Sequence, residues 1–318
     1  MKIYVEYDVT NQSGKGQFLN RLTKQWDKTG VKWSSEQAGC SARLAVTRHR
    51  TESKLPTAIR IDGSHNEITI PNGADKKRLI KSMEWKNAHT AKNIDTDAAT
   101  IWQSEFCKHM GHAIWGVKPK SEYVIFNGAD PADYLPRTPK KEVVLSAHWK
   151  RRPHKRLKEM YDIAVAYTAQ HPDVVFHVYG DVLDAFPAHE NILFHGRVGP
   201  DKLKEAFSTA GCMLNICYAD WCPNAVVEAL VAGVPVICTA NQGVSEIVKD
   251  SGIIVDVDEP IPQKHFVRAM NKPIRDIKPV YEALDKILYG GATFPPAEHL
   301  YIETVAKQYE GVFHDILS

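Results

Sequence analysis

The sequence predicts an α/β protein of two domains, each a parallel sheet wound with helices on both faces. Three observations lead there. Short apolar, β-branched runs alternate with helix-length amphipathic segments along most of the chain, the order that makes parallel sheets through helical crossovers. Those runs are apolar throughout instead of alternating with polar residues, as strands covered on both faces are. The chain has 318 residues, long for one compact domain and suited to two.

In the first half, "KIYVEYDV" (2–9) reads as a strand, "SGKG" as a glycine turn and "QFLNRLTKQW" as an amphipathic helix. "RLAVTR" (43–48), "TAIRID" (57–62), "TIWQS" (100–104) and "YVIFNG" (123–128) are further strand candidates. The second half repeats the theme more clearly. Its strands are "EVVLSAHW" (142–149), "VVFHVYG" (174–180), "NILFHG" (191–196), "CMLNICY" (212–218), "VPVICT" (234–239) and "GIIVDV" (252–257). Helical patterns separate most of them: "RLKEMYDIAVAYTAQH", "PDKLKEAFSTA", "NAVVEALVAG" and "GVSEIVKD". The prolines and basic residues of "LPRTPKK" (135–141) suit an exposed linker. We therefore expect an N-terminal domain over 1–138 and a C-terminal domain over 139–296. The segment 297–318 has apolar positions at helical spacing and is expected to pack back on the N-terminal domain. Ligands of open α/β sheets bind outside the carboxyl ends of the strands, which makes a cleft between two such domains the expected site.

Charge and composition narrow the function classes. Hydrophobic content of 43%, charged content of 25% and a net charge of +2 are ordinary for a globular chain and imply no bulk attraction to nucleic acid or membranes. The charge is uneven, however. Lys150, Arg151, Arg152, Lys155, Arg156 and Lys158 crowd six cations into nine positions, a run that reads as a solvated surface or as a phosphate contact. The six cysteines form no C-x-x-C pair and no zinc-ligand spacing, so reduced cytosolic thiols are expected. The N-terminus lacks the pattern of a signal peptide. No apolar stretch approaches the roughly 20 residues that span a bilayer. A soluble, cytoplasmic chain is the expectation.

The stretch "DWCPNAVVEAL" (220–230) carries the most chemistry. It follows a buried-strand pattern and enters a helix that ends near Gly233, a plausible C-cap. Pro223 and Asn224 start that helix, whose first backbone N–H groups favour an anion or ordered hydroxyls. Asp220 lies in the loop and Glu228 about one turn inside the helix, so both carboxylates can reach one elongated polar ligand. The alternative is that Asp220 caps the turn and Glu228 is a solvated helix residue.

The order of motifs from 191 to 248 resembles the nucleotide-sugar-binding half of the retaining GT-B glycosyltransferases, glycosyl transferases group 1 type. "FHGRV" (194–198), "DWCPNAVVEALVAGVPV" (220–236) and "QGVSEIV" (242–248) are its counterparts here, with the family's E-x7-E present as D-x7-E and its "G-F-G" loop as "WCP". "VIFNGADPADYLP" (124–136), "WKRRPHKRL" (149–157) and "SGKGQFLNRL" (13–22) resemble further family stretches, as do "IRIDGS" (59–64) and "IWQSEF" (101–106). The resemblance implies two Rossmann-like domains facing a cleft, and a retaining, metal-independent transfer from a nucleotide-diphosphate sugar, UDP-sugar first among them, with no cofactor. It implies that Glu228 holds the donor ribose and Asp220 the transferred sugar. Lys155 and a cation among Lys150, Arg151 and Arg152, with Arg151 preferred, would neutralise the diphosphate. Backbone N–H groups of Asn224 and Ala225 would share that work, beside Cys222 and Pro223. Gly180, Arg197, Val198 and Glu246 complete the implied donor set, and Gly14 and Gly16 let the N-terminal loop approach phosphates or acceptor. His65 and Asp62 are candidates for the group near the anomeric carbon. Family members retain configuration by front-face attack with the leaving phosphate as base, so paired glycosidase-type carboxylates are not required.

The implied acceptor is a glycan or a lipid-linked sugar. A hydroxylated base in DNA is the alternative, compatible with the basic run Lys76, Lys77, Arg78, Lys81 and Lys86. Two rivals remain: a sugar-nucleotide epimerase of the same fold, and a non-catalytic nucleic-acid-binding protein using 150–158. "DTD" (95–97) reads as a cap more than a metal site, "DVD" (256–258) as a loop, and "GKG" (14–16) lacks the ending of a Walker phosphate loop.

Overall fold

The computed structural model describes residues 1–11, 13–63, 76–146, 153–182, 185–240, 242–257 and 274–318. The chain separates into two compact units, one of residues 1–130 with 298–318 and one of residues 131–297.

In the first unit, six parallel strands stand in the order β2-β1-β3-β4-β5-β6. They are β1 (Lys2–Val5), β2 (Lys32–Ser34), β3 (Ala42–Val46), β4 (Thr57–Ile61), β5 (Ala99–Trp102) and β6 (Glu122–Val124). Helices α1 (Gly14–Thr29) and α9 (Ile302–Leu317) share one core with this sheet. The helical period puts Phe18, Leu22 and Trp26 of α1 and Val305, Tyr309 and Phe313 of α9 against Ile3, Val5, Leu44 and Val46. Truncating Trp26 to alanine would cost roughly 3–5 kcal/mol. Helices α2 (Lys76–Thr96) and α3 (Glu105–Trp115) complete the unit.

The expected glycine turn at 13–16 is instead the start of α1. Ser13 is its N-cap and accepts from the Gly16 N–H, and a Cβ on Gly16 would overlap the Asn11 carbonyl. The crossover from β3 to β4 (residues 47–56) contains no helix. Buried Glu6 holds it, its Oε1 accepting from the N–H groups of Arg50 (3.0 Å) and Thr51 (2.6 Å), with Arg43 ion-paired at 3.6 Å.

The second unit has six parallel strands in the order β12-β11-β10-β7-β8-β9. These are β7 (Glu142–Ser146), β8 (Val175–Tyr179), β9 (Ile192–Gly196), β10 (Cys212–Asn215), β11 (Val236–Thr239) and β12 (Gly252–Val255). Helices α4 (Leu157–Thr168), α5 (Pro200–Thr209), α6 (Asn224–Val231), α7 (Gly243–Val248) and α8 (Lys278–Leu288) accompany them. The chain runs outward from β7 through β8 to β9, and in the other direction from β10 through β11 to β12. The order reverses between β7 and β10, and this switch point is where open α/β sheets bind ligands. "CMLNICY" is only partly strand. Pairing ends at Asn215, and Ile216–Ala219 continue as buried irregular backbone.

Candidate functional site

Beyond β10 the chain stays buried through Asp220 while making a sharp turn. Ala219 makes that turn with φ at +58°, a left-handed conformation that costs an L-residue about 1–2 kcal/mol. Bonds from two sides offset the strain. The Gln242 amide accepts from the Asp220 N–H (2.9 Å) and donates to the Cys217 carbonyl (2.7 Å). Thr239 donates to the same carbonyl at 2.8 Å. The Gly243 N–H donates to the Asp220 carbonyl at 3.1 Å, and a Cβ on Gly243 would overlap the Trp221 carbonyl. From the other side, the Tyr218 N–H donates to the His154 carbonyl at 2.7 Å. The turn after β7 and the start of α7 thus clamp the loop between them.

Asp220 is the polar centre of this arrangement. Its Oδ2 accepts from the Lys155 ammonium, and its Oδ1 accepts from the Trp221 N–H at 3.0 Å. Burial alone would raise its pKa. The charge and hydrogen bond of Lys155, aided by His154 and the Trp221 N–H, outweigh burial and hold it below the usual carboxylate value. The same burial pushes the neighbouring Cys217 thiol up to about 12, leaving it unreactive as a nucleophile.

The basic run is not one solvated stripe. Arg156 takes a left-handed conformation (φ +52°) at the start of α4 and is buried, donating to the Ile216 carbonyl at 3.4 Å with its guanidinium over the Tyr218 ring. Lys155 turns inward to Asp220, and Lys158 pairs with Asp162 at 2.6 Å. Lys150, Arg151 and Arg152 lie outside the described residues.

Helix α6 starts at Asn224, with Pro223 as an N-cap that has no side-chain cap bond. Cys222 is buried, and Pro223, Asn224 and Ala225 are half-buried. Glu228, the fifth residue of the helix, is 9% exposed, which rules out a solvated helix residue. A buried acid is costly unless something on the chain or in a ligand engages it. Gly233 closes the helix with φ at +80°.

At the ends of β8 and β9, the Gly180 N–H donates to the Gly196 carbonyl at 2.8 Å, and both glycines have positive φ (+118° and +64°). Arg197 is exposed and Val198 half-buried just beyond. Glu246 sits in the first turn of α7. On β8 and β9, just before the two glycines, is a ladder of rings that the sequence reading does not single out. His177 and His195 share a hydrogen bond of 2.9 Å, and Tyr179 stacks on His195 at 4.5 Å. Alternate residues of neighbouring strands share a face, and that is the signal that finds such a ladder. Gln242 is legible as the first residue of "QGVSEIV" (242–248), but its bonds to Asp220 and Cys217 are not.

In the first unit, Asp62 follows β4 directly, half-buried as a residue with its side chain 6% exposed. It ion-pairs with Arg60 (2.6 Å), accepts from Gln103 (3.0 Å), and has Lys15 at 3.6 Å. Burial lowers the Lys15 pKa, and Asp62 opposes that. Gly14 and Gly16 lie in the first turn of α1. His65 lies outside the described residues, as does Asp258 of "DVD". Asp95 accepts from the Lys118 N–H at 2.7 Å, and Asp97 bonds His49 at 2.7 Å, so both acids of "DTD" make structural contacts.

The comparisons bear on this geometry. Residues 140–276 match the family model of Glycosyl transferases group 1. That segment contains the switch point, the Lys155–Asp220 pair and all of α6. No curated protein matches the chain. Among solved structures, a sucrose-phosphate synthase from Thermosynechococcus elongatus aligns with a TM-score of 0.65 at 13% identity, over 99% of this chain and 98% of its own. Anabaena HepE in complex with UDP-glucose aligns at 0.59 and 12% identity, over 99% of each chain. AviGT4, a glycosyltransferase of avilamycin A biosynthesis, aligns at 0.59 and 14%, over 100% and 98%. At such identities the likeness establishes the fold, which is that of GT-B glycosyltransferases.

Proposed function

We propose that the protein is a retaining, metal-independent glycosyltransferase that moves a sugar from a nucleotide-diphosphate sugar to a hydroxyl of a glycan or lipid-linked sugar. The observation that carries this reading is the Lys155–Asp220 pair at the strand-order switch, one short loop ahead of a helix with a buried glutamate. The family match over 140–276 supports it, and so does the fold shared with structures holding UDP or UDP-glucose. UDP-sugar is therefore the first donor to test.

In this reading the second unit holds the donor and the first supplies the acceptor side. Glu228 accepts from the ribose hydroxyls. The N–H groups of Asn224 and Ala225 face the diphosphate, with Cys222 and Pro223 lining the approach and Gly180, Arg197, Val198 and Glu246 completing the walls. Lys155 divides its donors between Asp220 and a phosphate oxygen, and Arg151 adds a second cation. Together they stabilise the charge that builds as the diphosphate departs. Asp220 then orients the transferred sugar through its hydroxyls. Its shorter reach than the family's glutamate goes with the bulkier "WCP" loop, and both shape sugar preference. The leaving phosphate takes the acceptor proton on the same face, which preserves the anomeric configuration. Asp62 and His65 flank the acceptor, and Gly14 lies beside it at the start of α1, whereas Gly16 makes room for the Asn11 carbonyl.

A thermal-shift panel of nucleotide sugars tests the donor. A ligand present at 100 times its dissociation constant adds about 2.7 kcal/mol of stability. Stabilisation by one nucleotide sugar above its bare nucleotide is expected. No shift with any nucleotide or nucleotide sugar would overturn the reading.

A further inference from the structure

Helix α2 presents a face that the proposed chemistry does not use. Among its described side chains, Met83, Thr90 and Ile94 are buried. On the opposite side, Arg78, Lys81, Trp85, His89 and Lys92 are all exposed. Their spacings of three and four place them in one row, roughly 20 Å long at 1.5 Å per residue. No acid lies within that row. Glu84 and Asp95 stand at its border, and Asp95 is engaged by the Lys118 N–H. Lys118 and Lys120 extend the basic surface past the last turn, where the Lys120 ammonium donates to the Thr96 carbonyl at 2.9 Å. Trp85, at the middle of the row, is 54% exposed, the highest value among the exposed large hydrophobic residues described.

We infer that this face docks the protein on a membrane surface rich in anionic lipid. An exposed indole ringed by cations is the composition of a side chain seated at headgroup level: the ring enters the interface, and lysine and arginine stems lie along the apolar boundary with their charges in the headgroups. Each cation near an anionic surface adds attraction, and the attraction falls off within a Debye length. A single-stranded nucleic acid fits less well, because it stacks bases on open aromatic faces. The Trp85 ring is already engaged by His89, at 3.9 Å between centroids, and by the Arg48 guanidinium at 5.7 Å. Among the described residues no helix is long and apolar enough to cross a membrane, and docking of this kind is reversible and salt-sensitive. It does not depend on the proposed transferase chemistry.

The test is co-sedimentation of the full chain with vesicles of phosphatidylcholine alone and of phosphatidylcholine mixed with phosphatidylglycerol. Binding is expected on the mixed vesicles only, and it is expected to vanish at high salt. Lys81→Glu with Lys92→Glu should weaken binding by roughly tenfold or more without lowering thermal stability, since both side chains are exposed. Quenching by brominated lipid, compared between the protein and Trp85→Phe, isolates the one indole among seven that should enter the interface. Equal binding to neutral and mixed vesicles, or quenching unchanged by Trp85→Phe, would overturn the proposal. Binding to single-stranded DNA that the double variant abolishes, with none to mixed vesicles, would assign the face to a nucleic acid instead.

Discussion

Lys155 and Asp220 form an ion pair in which the lysine side chain is 17% and the aspartate 9% exposed. Removing one member of such a pair strands the other charge, whereas replacing both by apolar groups need not cost anything. Lys155→Ala should therefore destabilise the fold by about 3–5 kcal/mol, and Lys155→Met with Asp220→Leu should recover much of that loss. Urea unfolding of the single and double variants measures both. A double variant no more stable than Lys155→Ala would count against the stranded Asp220 charge as the source of the loss.

The same pair sets an acid limit. The folded pKa of Asp220 lies below its ordinary value of 3.8. The unfolded carboxyl therefore takes up its proton first, and the stabilisation present above that value is lost as pH falls through the folded pKa. Asp220→Asn should flatten the unfolding free energy against pH in that acid range and leave it unchanged in form near neutrality.

Glu228→Ala should abolish most donor affinity while preserving the fold, because alanine keeps the backbone carbonyl that accepts from the Ala232 N–H at the end of α6 and is a good helix former. Isothermal titration with UDP and UDP-glucose is the measurement. Donor affinity equal to that of the unsubstituted protein would remove the residue from the ribose role.

Gly243→Ala should cripple the site without touching a ligand. The added Cβ meets the Trp221 and Asp220 carbonyls, which are backbone atoms that cannot step aside. The loop must shift, and the Asp220–Gln242 bond is lost with it. A drop in thermal stability together with weakened donor binding is expected. An unchanged melting temperature would show that the loop relaxes freely.

The His177–His195 pair predicts a second, milder pH response. Burial lowers the pKa of both rings below 6.5, with Glu142 opposing at His177 and Lys202 adding to the effect at His195. Their hydrogen bond survives only while one ring is neutral. Stability from the pair is complete above the unfolded value of 6.5 and declines as pH falls below it. Thermal melts across that range, repeated for His195→Gln, should show the decline in the unsubstituted protein and a shallower one in the variant.

These elements were not equally legible in the sequence. The strands of the second unit read well because strands covered on both faces are apolar throughout, yet the same rule overextended "CMLNICY", whose last residues are buried without being paired. The start of helix α3 is obscured because "TIWQS" (100–104) reads as strand through Ser104, whereas β5 ends at Trp102. Ser104 in fact caps the helix by accepting from the Cys107 N–H at 3.0 Å. Helix α2 is hard to read because, among its described side chains, only Met83, Thr90 and Ile94 are buried and polar residues separate them. Asp220 and Glu228 were visible because they lie close together along the chain in an ordered motif. The inward turn of Lys155 and Arg156 was not, since it depends on partners some sixty residues away, and local charge density reports nothing of that.

The core of the first unit is completed by Val305, Tyr309 and Phe313, residues translated after every strand of the second. A ribosome emitting this chain therefore exposes the inner faces of Phe18, Leu22 and Trp26 while the whole of 131–297 is still being made. The second unit can close as soon as its own last helix emerges, and the unit translated first must be the last to finish folding. Nascent chains arrested before α9 should accordingly be the form that general chaperones hold longest.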